Sequence, residues 1–341
     1  MTGNEVSNDV HVLVSLDFPE SFLNRVSAVD PRVVLHYVPG VRSNADVSAD
    51  VLRRTEVLYS GDFLPGPGVA PSLAWVQLDT SGIDHVRDTE VWTSEVQITT
   101  LGGVSPAPLA EWVLMMVLAH AHHLKVTERL ASRRYWPTRD ERWDGLMPHN
   151  LRTSTLGIVG YGRIGHEIAR LATAFGMRVI AARQNPGNTR PDTFGEEPNI
   201  AGVTELPVAR LPELLAVSDY LVLAVPLTPE TKGLIGAAEL AGLKPGCSVI
   251  NASRGGVVDE VALLAALDSG HLDFVASDVF EEEPLPTNSP FWTKDRMIVT
   301  PHVAGFAPDY VESVGNLFTK NLRRYLDRQP LLNLADRTRG Y

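Results

Sequence analysis

The hexapeptide Gly160-Tyr161-Gly162-Arg163-Ile164-Gly165 follows directly on the apolar run Leu156-Gly157-Ile158-Val159 and opens a stretch with helical character. A strand, a glycine turn and a helix in that order constrain the surrounding fold to a parallel α/β arrangement. Without side chains at the turn, backbone N–H groups can approach a pyrophosphate at the helix N-terminus, where the macrodipole favours negative charge. The pattern predicts a bound dinucleotide.

The rest of the chain supplies room for this unit and a second one, since 341 residues can bury two sizeable cores. Hydrophobic residues make up 44%, charged residues 21%, and the net charge is −11. An acidic balance of this size, with no basic stripe, excludes nucleic acid and anionic membrane surfaces as expected partners. Cys247 is the single cysteine, which rules out an intrachain disulfide and a thiolate zinc centre, and its place at the start of an apolar run reads as a core thiol. The first eight residues are polar and no apolar run reaches membrane-spanning length, so a cytoplasmic protein with no membrane partner is expected.

Short apolar runs at 12–16, 33–37, 56–59, 75–78 and 96–99 alternate with helix-compatible segments and suggest a first parallel sheet. From Pro106 to about Arg129 the period changes, and the stretch Leu109 to Ala119 is apolar nearly all round, as in a helix buried on more than one side. Residues 132–153 read as an irregular connection. Six further strands are expected at 155–159, 178–182, 220–225, 248–251, 274–277 and 297–300, building a doubly wound sheet. A last helix over 311–325 is expected to return to the first domain. The fold class is thus α/β, with two Rossmann-like, parallel-sheet domains: a substrate-binding domain of residues 1–104 plus 306–341, and a dinucleotide-binding domain of residues 105–305.

Ligands of open α/β sheets lie beyond the carboxyl ends of the strands. Each strand of the second unit carries an unusual residue at that end: Gly160, Arg183, Pro226, Arg254, Asp278 and His302. Arg254 precedes two glycines that permit a tight turn, and its rigid fork suits a carboxylate or a polarised carbonyl. Glu283 ends the acidic run 281–283 and is followed by Pro284, while His302 is a proton donor or acceptor poised near neutral pH. An arginine, a carboxylate and a histidine on one nucleotide-facing edge point to chemistry rather than to scattered surface charge.

The chain resembles the D-2-hydroxyacid dehydrogenase family from roughly Leu73 to Asn321. The motifs that carry the resemblance are Thr80-Ser81-Gly82-Ile83-Asp84, Ala110-Glu111-Trp112, the glycine hexapeptide, Pro226 to Thr231, Asn251-Ala252-Ser253-Arg254-Gly255, Asp278 to Pro284 and Thr300-Pro301-His302. The resemblance implies a catalytic set of Arg254, Glu283 and His302, an aspartate at Asp278 on the nicotinamide side, and an active-site cleft between two domains. It also implies a homodimer held largely by the nucleotide domains. The cofactor-side residues are then Gly160, Gly162, Arg163, Ile164, Gly165, Arg183, Gln184, Pro226, Thr231, Ala252 and Asp278, with no metal. Backbone N–H groups near Ser81 and Gly82 would take the substrate carboxylate, and Arg254 would grip the rest of a small 2-oxo or 2-hydroxy acid. His302 would supply the proton while hydride comes from the nicotinamide. Glu283 would orient the imidazole and stabilise its cationic form. Within the family, Ser81 stands where a phosphite-oxidising branch places a lysine.

One departure concerns the cofactor. After the second strand, where an NAD-preferring site places an acidic residue for the ribose hydroxyls, the chain reads Ala181-Ala182-Arg183-Gln184-Asn185. A cation there attracts a 2′-phosphate, so NADP(H) is expected to be preferred and NAD(H) is the alternative, with Asn185 and Arg190 as further candidate contacts. Glyoxylate or hydroxypyruvate is the leading substrate. The competing reading is a dinucleotide-sensing, corepressor-like interaction protein with little turnover, because fold does not dictate function. His120, His122 and His123 lack an i, i+4 pair and an evident acidic partner, so no zinc site is expected in that run. Tyr135, Trp136 and Trp143 either line a substrate cleft, their own or a partner's, or pack on their own subunit.

Overall fold

Short β-branched and aliphatic runs form parallel strands throughout a computed structural model of the chain, in which residues 8–187 and 200–340 are described. Arg190 therefore lies outside the described residues. The chain divides into two compact units, residues 1–104 with 307–341, and residues 105–306.

In the first unit the elements run β1 (Val10–Val14), α1 (Glu20–Ser27), β2 (Val33–Tyr37), α2 (Ala49–Arg54), β3 (Val57–Ser60), β4 (Trp75–Leu78), α3 (Glu90–Thr93) and β5 (Gln97–Thr99). The strands pair in parallel in the order β2-β1-β3-β4-β5. Helix Tyr310–Leu326, the last of the chain, belongs to this unit and packs beside α1. Its Phe318 ring stands 4.9 Å from Tyr59 and 5.4 Å from Trp75, all three fully buried. Truncating a phenylalanine so placed removes about 3–5 kcal/mol, which makes the C-terminal helix a part of this core rather than an appendage.

The second unit begins with α4 (Pro106–Ala121), α5 (Leu124–Ser132) and α6 (Arg139–Gly145). It continues through β6 (Thr155–Val159), α7 (Arg163–Ala174), β7 (Arg178–Arg183), β8 (Val203–Pro207), α8 (Leu211–Val217), β9 (Tyr220–Leu223), α9 (Ala237–Ala241), β10 (Cys247–Asn251), α10 (Glu260–Asp268), β11 (Leu272–Ser277) and β12 (Met297–Val299). The Tyr310–Leu326 helix is then α11. The sheet order is β12-β11-β10-β9-β6-β7-β8, parallel throughout. Strand order reverses at β6, so the turn after it opens at the switch point where ligands of such sheets bind. Helix α4 is buried through Ala110, Val113, Leu114 and Val117, and shares a core with Ile168 and Ala172 of α7.

Three features differ from the sequence expectations. The apolar stretch after Pro106 is two helices, broken where His123 takes the left-handed conformation with φ 54°. The connection 132–153 contains α6, started by a capping box in which Thr138 Oγ1 accepts from Glu141 N and Glu141 returns to Thr138 N. The sheet has a seventh strand, β8, whose half-exposed Val-Thr-Glu-Leu-Pro run lacks the continuous apolar character of a strand covered on both faces. No helix among the described residues is long and apolar enough to cross a membrane.

Candidate active site

Each glycine of the turn after β6 answers to a separate contact. Gly160 has φ +100°, and a Cβ there would stand 2.4 Å from the Ala224 carbonyl oxygen. At Gly165 a Cβ would stand 2.1 Å from the Gly160 carbonyl oxygen, so helix and turn pack backbone to backbone. Gly162 is the N-cap of α7, makes no side-chain cap, and a Cβ there would meet nothing within 4 Å. The N-terminus of a 12-residue helix thus presents its first N–H groups beside open space, which fits a pyrophosphate. Arg163 and Ile164 open that helix.

Arg183 is the last residue of β7, and its guanidinium lies 5.9 Å from the Tyr161 ring centroid. Its Nη1 is 3.6 Å from Glu205 Oε2 on β8, and Glu205 also accepts from Gly187 N at 3.0 Å. Sequence reading missed Glu205 because it missed the strand that carries it. Gln184 is exposed next to Arg183. Thr231 Oγ1 donates to the Pro226 carbonyl at 2.6 Å and accepts from Thr228 N at 2.8 Å, which makes it the brace of the turn after β9. Ala252 is buried, its N–H directed to the Leu223 carbonyl.

The residues expected to be catalytic follow three neighbouring strands. Asn251, at the end of β10, pairs with Ser277 of β11, which pairs with Val299 of β12. Arg254 therefore follows β10, Asp278 and Glu283 follow β11, and His302 follows β12, all on the carboxyl edge of one sheet. Asn251 builds the first turn: its Oδ1 accepts from Ser253 N and Ser253 Oγ, and its Nδ2 donates to the Arg254 carbonyl. Arg254 Nη1 donates to the Ser253 carbonyl at 2.9 Å. A Cβ on Gly255 would stand 1.9 Å from the Phe280 carbonyl carbon, so the Arg254 turn lies directly on the backbone that leads to Glu283.

Asp278 organises the histidine loop. Its Oδ1 accepts from Thr300 Oγ1 at 2.6 Å and Val303 N at 2.9 Å, its Oδ2 accepts from Ala304 N at 2.9 Å, and its carbonyl accepts from His302 N. Held this way, His302 adopts φ 54°, an uncommon conformation for a residue with a Cβ. Its Nδ1 stands 2.7 Å from Glu283 Oε2, while Glu283 Oε1 accepts from Phe280 N at 2.8 Å. The carboxylate is thereby anchored at one oxygen and faces the imidazole with the other, so Nδ1 is occupied by Glu283. Both side chains are partly exposed, at 48% and 35%.

Ser81 and Gly82 occupy the loop after β4 in the first unit, where Thr80 Oγ1 donates to the Gly82 carbonyl at 2.7 Å. Beside that loop Asp79 Oδ1 accepts from Tyr59 Oη at 2.8 Å and Tyr310 Oη at 3.0 Å, and burial holds its carboxyl above the usual range. Burial also pushes the Cys247 thiol up to about 12, consistent with an inert core residue.

Comparison with known proteins shows the family. The sequence model of the D-isomer specific 2-hydroxyacid dehydrogenase NAD binding domain matches residues 114–304. The chain is 35% identical over 253 residues to the (S)-sulfolactate dehydrogenase of Chromohalobacter salexigens, covering 74% of this chain and 75% of that one. It is 31% identical over 270 residues to the glyoxylate reductase of Thermococcus litoralis, covering 79% and 78%. The structure is similar to that of the NADPH-dependent glyoxylate/hydroxypyruvate reductase of Sinorhizobium meliloti in complex with NADP and sulfate, with a TM-score of 0.79, 28% identity, and coverage of 98% of this chain and 100% of that one. The chain is an enzyme and belongs to the D-isomer specific 2-hydroxyacid dehydrogenase family.

Proposed function

We propose that this enzyme is an NADP(H)-preferring reductase of a small 2-oxo acid of the glyoxylate or hydroxypyruvate type, working reversibly on the D-2-hydroxy acid. The observation that carries the reading is the Glu283–His302 pair at 2.7 Å on the strand edge that also carries Arg254. When bound, the nicotinamide supplies or accepts hydride. His302 Nε2 gives the carbonyl oxygen its proton in reduction and takes it back in oxidation. Glu283 fixes the ring by holding Nδ1 against Oε2, so that Nε2 is the atom left for proton transfer. Arg254 grips the carboxylate or carbonyl oxygen through its fork, and the N–H groups of Ser81 and Gly82 are assigned to the substrate carboxylate. The glycine turn and the start of α7 hold the pyrophosphate, and Arg183 with Gln184 receives the 2′-phosphate.

The relatives named above are enzymes and give no support to a corepressor-like role. We assign the protein to the cytoplasm, in keeping with its single buried thiol. A homodimer accounts for the exposure of Met115, Leu124, Tyr135, Trp136, Trp143 and Met147, all within one stretch of the second unit. Initial rates on a panel of 2-oxo acids with NADPH and with NADH test the function. The expected result is turnover of glyoxylate or hydroxypyruvate with higher kcat/KM for NADPH, and no turnover of any 2-oxo acid with either cofactor would refute it. Light scattering of Trp136→Ser against the wild type tests the dimer.

A further inference from the structure

The histidine run at the end of α4 contributes one member to a cluster that the run itself does not show. His120 is buried against the amino ends of three strands: Nδ1 lies 3.1 Å from Ser248 Oγ and 3.3 Å from Tyr220 Oη, and Nε2 lies 2.9 Å from Asp273 Oδ2. His149, on the segment that enters β6, is tied to the end of α4 by its N–H to the Ala121 carbonyl at 2.9 Å. Its ring meets His120 edge-on, with centroids 4.7 Å apart. One donor atom from each of His120, His149 and Asp273 lies within 4.8 Å of the others. Asp273 is thus the acidic partner that the sequence around His120 did not reveal.

We propose that His120, His149 and Asp273 form a binding site for a divalent transition-metal ion of the zinc or cobalt type. Two imidazoles and one carboxylate suit these ions and disfavour Mg²⁺ and Ca²⁺, which take all-oxygen sets. Two ligands at about 2.0–2.1 Å from a tetrahedral ion stand about 3.3 Å apart, so His120 Nε2 and Asp273 Oδ2, hydrogen-bonded at 2.9 Å, need part by only a few tenths of an ångström to admit one. With Nε2 on the ion, Nδ1–H donates to Ser248 Oγ or Tyr220 Oη, the outer support that ligating histidines use. Arg296 lies 3.9 Å from Asp273 Oδ1, so Oδ2 is the coordinating oxygen.

A hydrogen-bonded His–Asp pair alone accounts for His120 and Asp273 but not for the third ring. Among the described residues no hydrogen bond reaches the His149 ring nitrogens, and its ring faces those of His120 and His123 edge-on. His149 is exposed, and its donor atom already lies within 4.8 Å of those of the other two. The remaining positions on the ion are open to water. The cluster lies at the amino edge of the sheet, the opposite edge from His302. Asp273 precedes Asp278 by five strand residues, roughly 16 Å at about 3.3 Å per residue. The ion would therefore clasp the segment before β6 to β9, β10 and β11 and act on stability, not on hydride transfer.

The full chain, stripped with EDTA and dialysed, is titrated with Co²⁺ and then with Zn²⁺. The expected result is one saturable equivalent of Co²⁺ per chain with visible ligand-field absorption, its displacement by Zn²⁺, a higher Tm in either metal, and kcat unchanged within about twofold. His149→Ala, at an exposed position, should abolish the absorption and the rise in Tm while leaving the metal-free Tm and the turnover as in the wild type. His122→Ala should change nothing. The proposal is overturned by a titration without a saturable equivalent, by wild-type binding in His149→Ala, or by an equal loss of binding in His122→Ala.

Discussion

Glu205 Oε2 lies 3.6 Å from Nη1 of Arg183, so the guanidinium assigned to a 2′-phosphate already faces a carboxylate on the neighbouring edge strand. The spacing is an ion pair and not a hydrogen bond, and both groups are partly exposed. Such a pair is worth at most about 1 kcal/mol, which a phosphate can outcompete for Arg183 but which still acts against it. Glu205→Gln is therefore expected to lower the KM for NADPH by about three- to fivefold with little effect on NADH. Arg183→Ala should raise the NADPH KM roughly ten- to hundredfold, the scale of a lost charge-assisted bond. Steady-state kinetics with both cofactors decide it, and equal shifts for NADPH and NADH in Glu205→Gln would remove that residue from cofactor discrimination.

The acid–base pair separates by role. His302→Ala removes the proposed proton donor and should lower kcat by about two to four decades. Glu283→Gln keeps the shape but loses the charge facing Nδ1, and should cost about ten- to hundredfold in kcat with cofactor affinity retained. Fluorescence titration with NADPH gives the affinity, and rapid-mixing absorbance at the nicotinamide band gives the turnover. If Glu283→Gln reduced at the wild-type rate, the pair would be structural only.

Gly255 and Gly256 offer a matched test of how closely the Arg254 turn is packed. A Cβ on Gly255 meets Phe280 and Glu281 backbone within 2.2 Å, whereas one on Gly256 meets only Leu227 methyl groups at 3.5 and 3.7 Å. Gly255→Ala should cost about 1–3 kcal/mol of stability, the usual scale of overpacking, and disturb Arg254 and Glu283 together. Gly256→Ala should stay within about 0.5 kcal/mol of the wild type. Thermal unfolding and kcat/KM measured side by side check both halves.

These contacts mark where sequence reasoning stops. The glycine turn and the residues that follow each strand were legible, because a glycine with no room for a Cβ and a polar group at the end of an apolar run leave local signatures at Gly160, Arg254 and His302. Glu205 was not, because β8 is a half-exposed edge strand whose pattern resembles a loop. The part played by Asn251 and by Asp278 as builders of turns was hidden too, since their partners are backbone N–H and C=O groups that carry no residue identity. Asp273 and His149 lie far from His120 in the chain and meet it only through the order of strands in the sheet. The break at His123 comes from its left-handed backbone, for which a histidine gives little warning.

Asp79 gives a pH-dependent prediction. Its carboxyl is buried beside Tyr59 and Tyr310, and desolvation raises its pKa despite the two hydroxyl donors. A carboxyl whose folded pKa exceeds its unfolded value of about 3.9 binds more protons in the folded chain, so its contribution is fully present below the unfolded pKa and is lost as pH rises through the folded one. At neutral pH the ionised group therefore works against the fold. Asn in its place keeps an acceptor oxygen for the hydroxyls and carries no charge. The Tm of Asp79→Asn minus that of the wild type should accordingly become more positive from pH 4 to pH 8. Differential scanning calorimetry across that range measures the difference directly, and a value that stays constant or falls with pH would show that the carboxylate is stabilised, not penalised, in its pocket.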